Sequence, residues 1–198
     1  LIADHTADPV RVAADLLIEA EHGTDSSVVF VTTSIELAAQ VDAELVVQLA
    51  ALPEQRATAA RASLGPNGGV VFVSSLSEAA EVSNQYAPEH LQVAVDENAV
   101  DALVDQLVNA GEILIGQHTP FSAANFLIGC PASLPTSGFA HVSSGITAEA
   151  FLKRTAIARS NEAALRRMAP SIVTLAEHEG FPAHANAITN RFTTGDHS

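Results

Sequence analysis

Short apolar runs alternate with helical segments along most of this chain, and this alternation constrains the fold more than any other feature. Residues 28–31 and 70–73 contain only β-branched and aromatic side chains, without the polar alternation of a strand that has one solvent-exposed face. Such runs indicate strands that are covered on both sides. The predicted strands are residues 28–31, 70–73, 91–95 and 112–116.

Helix-capping signals lie between these runs. Asp8 followed by Pro9 is an N-cap with a first-turn proline. Gly23 is a typical helix stop, so a helix is predicted over residues 9–22. Further helices are predicted from the capping box of Thr33 and Glu36 to about residue 52, from the capping box of Ser75 and Glu78 onward, and from Asp96 to about residue 109. Strands that alternate with helices predict an α/β fold with a doubly wound, mainly parallel sheet and helices on both faces.

This fold class also predicts where a ligand binds. In doubly wound sheets, ligands bind beyond the carboxyl ends of the strands. We therefore expect a binding site in the loops at that edge. The loops concerned follow Val31, Val73, Val95 and Gly116.

The C-terminal part of the chain has a different organisation. Residues 119–145 are rich in Pro, Gly and Ser, and a long irregular segment in a compact domain is usually functional. We predict an incomplete Rossmann-like α/β domain over residues 1–146 and a helical dimerisation module over residues 147–198. Helical patterns in this module, a C-terminal helical appendage, lie at about residues 147–153, 160–178 and 182–192.

The charge of the chain excludes two classes of partner. Its 198 residues include nine Lys and Arg and 23 Asp and Glu, a net charge of −14. This charge repels the phosphate backbone of nucleic acid and anionic membrane surfaces, so neither is expected as a partner. The charge is also uneven, because residues 1–150 carry three basic and 19 acidic side chains whereas residues 151–198 carry six basic and four acidic ones.

Cysteine content and the N-terminal residues predict a cytoplasmic protein. The single cysteine, Cys130, cannot form an intramolecular disulfide or a cysteine-rich zinc site. The N-terminus lacks the basic-then-apolar pattern of a secretory signal. Leu1 stands where an initiator methionine would, and we therefore expect that the N-terminal part of a longer gene product is absent.

Two short polar motifs could carry chemistry, and each also has an ordinary structural explanation. Glu19 and His22 are three residues apart, which places them on one helix face, as in helical metal sites or at a solvated helix end. Glu89 and His90 place a carboxylate beside an imidazole, as in a general acid/base pair or a solvated turn. His184, in the last helix, has the same two explanations. No glycine-rich phosphate loop occurs in the sequence, so nucleotide binding is not indicated.

Residues 84–91 read Asn-Gln-Tyr-Ala-Pro-Glu-His-Leu and resemble a signature of the histidinol dehydrogenase family. This resemblance implies a zinc-dependent, NAD-linked dehydrogenase that oxidises an alcohol to an aldehyde and then to a carboxylate. The family's nucleotide-binding domain precedes the matched part, so no cofactor-binding residue is assigned and this chain alone is expected to be inactive. The other matching segments, in the family's order, are residues 14–17 with 20–23, 134–138, 143–145 and 183–187.

The resemblance also implies roles for individual residues. Glu89 and His90 match the acid/base pair, in which the histidine takes the alcohol proton and the glutamate helps to activate water. Glu19 replaces a glutamine ligand and Asn125 an aspartate ligand of the family's zinc site. The set therefore keeps two imidazoles, one carboxylate and one amide, with the same formal charge. The implied metal ligands are Glu19, His22, Asn125 and His184.

The positions that match substrate contacts depart further from the family. Phe121, Phe126 and Ala132 stand where the family has a glutamate, a tyrosine and a histidine, whereas Glu179 is kept. Unpaired polar groups on a buried ligand cost about 1–3 kcal/mol each. We therefore expect a smaller or more apolar alcohol than histidinol as the substrate.

The family's quaternary structure implies a homodimer with a shared metal site. In the family the last histidine ligand, here His184, comes from the other subunit, and the basic tail could pair with the acidic body. A noncatalytic metal- or ligand-binding module that reuses the fold is the alternative to an enzyme. The apolar residues predicted to bury the interface are Leu165, Met168, Ile172, Leu175 and Ile188.

Overall fold

The computed structural model describes residues 1–192 and divides the chain into two compact units. These units are Leu1–Phe151 and Leu152–Ser198, so the division lies after Phe151, whereas the predicted domain boundary lies after residue 146. Residues 193–198 of the predicted C-terminal module lie outside the described residues.

The first unit is built on a five-stranded sheet in the order β3-β2-β1-β4-β5, in which every pair of neighbours is parallel. The α/β fold with a parallel sheet is therefore confirmed. The central strand β1 was not predicted, because two residues are too few to show a periodic pattern. The strands are β1 (Ile2–Ala3), β2 (Val29–Thr32), β3 (Gly69–Phe72), β4 (His90–Ala94) and β5 (Glu112–Ile115).

Helices connect the strands and form the second unit. The predicted caps Asp8, Ser75 and Asp96 each accept a hydrogen bond from a backbone N–H of the first turn. A π-helical turn, Ala124–Ile128, and two 3-10 segments, Phe139–His141 and Ala148–Phe151, complete the first unit. The helices are α1 (Pro9–Ala20), α2 (Ile35–Ala51), α3 (Glu54–Leu64), α4 (Leu76–Tyr86), α5 (Glu97–Val104), α6 (Phe121–Ala123), α7 (Glu162–His178) and α8 (Pro182–Thr189).

The structure corrects the predicted helix boundaries at three places. Ser34, and not Thr33, is the N-cap of α2, because its hydroxyl accepts from the backbone N–H of Leu37 at 3.1 Å. Helix α3 was missed because its buried face consists of alanines and Ser63, which give no apolar periodicity. Helix α5 ends at Val104, well before residue 109.

The prediction that the strand at residues 70–73, now β3, is covered on both sides is wrong. In β3, Val70 is 47% exposed and Phe72 is 54% exposed. This strand lies at one end of the sheet order and pairs only with β2 among the described residues. Its apolar side chains therefore mark an edge strand and not a central one.

Two apolar clusters cover the two faces of the sheet. On one face, Ala3 and Phe30 pack with buried residues of α1, α2 and α3. On the other face, Ile2, Val31 and Val93 pack with residues of α4 and α5. Helices on both faces of a parallel sheet make the doubly wound arrangement that the sequence predicts.

The second unit contains the two helices α7 and α8. Asn161 caps α7 through its side chain, which accepts from the N–H of Ala164 at 2.9 Å. Pro170 lies inside α7, and few residues of this unit are buried, Ala176 and Ala185 among them. None of the helices in residues 1–192 is both long and apolar enough to cross a membrane.

We expect Val93→Ala to lower the free energy of unfolding by about 2 kcal/mol, since it removes two buried methyl groups and leaves a cavity. Val93 is 0% exposed in the middle of β4. Denaturant unfolding measures the difference. The matched control is Val108→Ala at a side chain that is 72% exposed, where a change within about 0.5 kcal/mol is expected. Equal effects of the two substitutions would contradict the assigned burial of β4.

Candidate functional site

Glu19, His22, Glu89 and His90 are the candidate side chains that meet at the amino edge of the sheet. In a parallel sheet, a helix that leaves the carboxyl end of one strand returns toward the amino end of the next. Helix α1 therefore carries Glu19 and His22 to the edge where the strands begin. His90 is the first residue of β4, and Glu112, the first residue of β5, is its partner in the strand register. These residues lie away from the loops at the carboxyl ends of the strands, whereas Phe121 and Asn125 belong to the segment that follows Gly116.

His90 is at the centre of this cluster. Its Nδ1 lies 2.6 Å from Oε1 of Glu112, while its Nε2 lies 3.7 Å from Oε1 of Glu89 and 3.9 Å from Oε2 of Glu19. The ring also packs edge-on against Phe121, with 5.7 Å between ring centroids. The side chain of His90 is only 16% exposed, so the imidazole is held between three carboxylates and an aromatic ring.

The backbone of Glu89 lies very close to the backbone of Gly111. Ala87 ends α4 in the left-handed region at φ 51°, and Pro88 follows it. Gly111 then donates from its N–H to the carbonyl oxygen of Pro88 at 2.9 Å. A Cβ at Gly111 would lie 2.5 Å from the carbonyl oxygen of Glu89. Only glycine allows this approach, and it sets the position from which Glu89 and His90 enter the site.

Burial and neighbouring charges change the protonation of Glu89. Removal from water raises the pKa of this carboxyl most, and the carboxylates of Glu19 and Glu112 raise it further, against the opposite effect of His90 and His22. A carboxyl group with a raised pKa can hold a proton nearer to neutral pH than an ordinary glutamate. A raised pKa is one property of a general acid/base, and the role of Glu89 stays a prediction.

Glu19 connects this acid/base cluster to a second group of donor atoms. Its Oε2 lies 3.6 Å from Nδ1 of His22, and its Oε1 lies 3.5 Å from Nδ2 of Asn125 in the π-helical turn. Two ligand atoms of a tetrahedral zinc ion lie about 3.3–3.4 Å apart, given zinc–ligand bonds of about 2.0–2.1 Å. The separation of Glu19 and His22 is close to this value. The Asn125 contact is a hydrogen bond donated by the amide nitrogen, which is not a metal ligand.

The chemistry of the donor set limits how a metal could be held. Within residues 1–192, no three His, Cys, Asp or Glu side chains form a group that could hold a metal ion. A metal ion bound by Glu19 and His22 would therefore need the amide of Asn125 or a ligand from another chain. His22 is exposed, with 61% of its side chain accessible, whereas Glu19 is 23% exposed.

The remaining predicted site residues are placed differently. Phe121 is buried against His90, but Phe126 is 80% exposed and Ala132 is also exposed. In the second unit, Glu179 is the exposed C-cap of α7, and His184 lies in α8 with its ring against Phe181 at a centroid distance of 5.2 Å. The roles of these two residues, like those of the other predicted site residues, stay predictions.

Sequence reasoning missed Glu112 as a site residue. It was included only as the first residue of a predicted strand, although a carboxylate that opens an otherwise apolar strand needs a partner if it is buried. Its side chain is 6% exposed. Cys130 lies beside it, and burial together with the neighbouring Glu112 raises the pKa of this thiol. Glu112 therefore belongs to the site as closely as Glu89 does.

Known proteins resemble this chain over most of its length. The family model described as histidinol dehydrogenase matches residues 1–192. A protein described as histidinol dehydrogenase from Synechocystis sp. is 44% identical over 191 residues, which are 96% of this chain and 44% of that protein. One from Thermobifida fusca is 42% identical over 192 residues, 96% of this chain and 43% of that protein.

A solved structure also has the same fold as this chain. The crystal structure of histidinol dehydrogenase from Elizabethkingia anophelis superposes with a TM-score of 0.90 at 34% identity, and it covers 98% of this chain and 43% of that one. This chain thus spans less than half of the length of the relatives it matches. The family match and the shared fold lead to one conclusion: the chain belongs to the histidinol dehydrogenase family.

Proposed function

We propose that this chain is the C-terminal, metal-site part of a zinc-dependent, NAD-linked dehydrogenase that oxidises histidinol. The observation that carries the proposal is the cluster in which His90 lies within 4 Å of Glu89 and Glu19, beside His22. A candidate base, a second candidate acid/base group and candidate metal ligands thus lie in one cluster. NAD would be bound by a part of the protein beyond these residues.

His90 and Glu89 would divide the proton transfers of the reaction. Oxidation of an alcohol to a carboxylate takes two hydride transfers to NAD, and water supplies the second oxygen. His90 would accept the hydroxyl proton through Nε2, the ring nitrogen that faces Glu19 and Glu89. Glu89, whose pKa is raised, would take a proton from the attacking water. The two residues are adjacent, so both steps use one position of the substrate.

The zinc ion would be held by Glu19, His22 and Asn125, and by His184 of a second subunit. The amide of Asn125 would bind through its oxygen, which requires the amide group to turn by about 180° from its contact with Glu19. When bound, zinc supplies a Lewis acid that orients and acidifies the substrate hydroxyl. One carboxylate and two imidazoles leave the metal site with one positive charge, as in the family set.

The comparisons favour histidinol and do not support another alcohol. The expectation of another substrate rested on Phe121, Phe126 and Ala132, but Phe126 and Ala132 are exposed in the described structure. They do not enclose an apolar pocket within the first unit. Relatives at 42–44% identity are described as histidinol dehydrogenase, which makes histidinol the substrate we propose.

The full-length protein that contains this chain should reduce NAD when histidinol is added, and His90→Asn should lower kcat by about 100-fold or more, because the base is lost. NADH absorbance measures the rate. The matched control is His118→Asn, because His118 is exposed after the carboxyl end of β5. Turnover of another alcohol but not of histidinol would refute the proposal that histidinol is the substrate. No turnover of any alcohol would favour the noncatalytic alternative.

We expect one zinc ion per chain after dialysis against zinc and then against buffer, measured by elemental analysis. His22→Ala should lose the metal, because it removes one of the two imidazoles proposed as ligands. His118→Ala, at an exposed histidine, should retain it. A zinc content near zero, or equal contents in the two variants, would refute the proposed metal site.

A homodimer is the proposed assembly, in which the helical tail contributes His184 to the partner's site. Light scattering should give twice the chain mass of 20.5 kDa when the 198-residue chain is measured with zinc. Removal of residues 160–198 should abolish the doubled mass, because α7 and α8 carry the apolar interface. A mass of one chain in the presence of zinc would exclude a shared site.

A further inference from the structure

We propose that Glu112 is a positioning residue for His90, which holds the imidazole in the tautomer that leaves Nε2 free to accept a proton. The catalytic consequence rests on the proposed function. The tautomer itself does not depend on the proposed function, because it follows from the contact between His90 and Glu112 in the first unit.

The proposal begins with the shortest polar contact in the cluster. Nδ1 of His90 lies 2.6 Å from Oε1 of Glu112. An ionised carboxylate can only accept hydrogen bonds, so the hydrogen of this contact belongs to Nδ1. A neutral imidazole carries one ring hydrogen, and the lone pair is then on Nε2. This is the nitrogen that faces Glu89 and Glu19.

The backbone and the packing hold the two side chains in this arrangement. His90 and Glu112 are register partners at the first positions of β4 and β5. The N–H of Glu112 donates to the carbonyl oxygen of Glu89 at 3.0 Å, directly before His90. Phe121 lies edge-on to the ring with an interplanar angle of 72°. Rotation of the imidazole would therefore break its contact with Glu112 and its edge-on contact with Phe121 together.

The burial of Glu112 argues for a specific partner. Its side chain is 6% exposed, and a buried carboxylate is costly unless it is paired. Among residues 1–192, His90 is the one basic side chain within 4 Å of Glu112. Burial, together with the neighbouring Glu112, raises the pKa of the Cys130 thiol. The pairing of Glu112 thus depends on the imidazole, and the orientation of the imidazole depends on Glu112.

The direct test is the histidine tautomer in the metal-free 198-residue chain, measured by ¹⁵N NMR with labelled histidine. The parent should show His90 with its hydrogen on Nδ1. Glu112→Ala should shift the population toward the Nε2–H form that free histidine favours, whereas Glu112→Gln should keep Nδ1–H because the amide oxygen still accepts. The control Glu81→Ala, at an exposed residue of α4, should change nothing. A parent with Nε2–H, or a tautomer unchanged in Glu112→Ala, would overturn the proposal.

Kinetics of the full-length protein test the consequence for catalysis. Glu112→Ala should lower kcat by about 10- to 100-fold, as loss of such a partner usually does, with KM for histidinol changed less than about twofold. Glu112→Gln should recover most of kcat, because it restores the acceptor without the charge. Equal losses in both variants, or a change in KM alone, would contradict a positioning role. If the parent has no dehydrogenase activity, the proposed function fails while the NMR result still decides the tautomer.

Discussion

The parallel pairing of β4 with β5 is the constraint on which the site depends. It sets His90 opposite Glu112 at the first residues of the two strands. Because all strands run in the same direction, the end of α1 returns to this same edge and brings Glu19 and His22 with it. Gly111 then admits the backbone of Glu89 at a distance that no other residue would allow. The candidate acid/base pair and the candidate ligands Glu19 and His22 thus share one edge because the sheet is parallel.

The amino edge of the sheet concentrates negative charge around one histidine. Three carboxylates, from Glu19, Glu89 and Glu112, surround the imidazole of His90 within 4 Å. Removal from water raises the pKa of Glu89 most, and the carboxylates of Glu19 and Glu112 raise it further. A cation bound by Glu19 and His22 would lower the net negative charge of the cluster. A carboxyl group with a raised pKa beside further carboxylates and an imidazole is typical of functional sites.

Local patterns in the sequence predict much of the fold but little of the site. The apolar runs of β2, β4 and β5 and the caps at Asp8, Ser75 and Asp96 are local signals, and the structure contains them. Strand β1 is too short to show a pattern. The exposed faces of Val70 and Phe72 depend on the strand order, which no local pattern contains. Glu112 was missed for the same reason, because its partner is distant in the sequence.

The roles of Glu89, His90 and the metal ligands came from resemblance to a family and not from spacing. In the structure, Glu19 lies close to His22, Asn125 and His90. The sequence alone could not show this for Asn125, which is distant from Glu19 along the chain. The usual location of ligands in doubly wound sheets, beyond the carboxyl ends of the strands, indicates the segment after Gly116 that contains Asn125 but does not indicate Glu19 or His90.

The most direct test of this account is anomalous X-ray scattering at the zinc edge from crystals of the full-length protein grown with zinc. The account predicts one strong peak at the amino edge of the sheet, about 2.0–2.2 Å from donor atoms of Glu19 and His22, with the ring of His90 beside it. A peak elsewhere, or His90 turned away from Glu112 into solvent, would contradict the central claim that this edge is the catalytic centre.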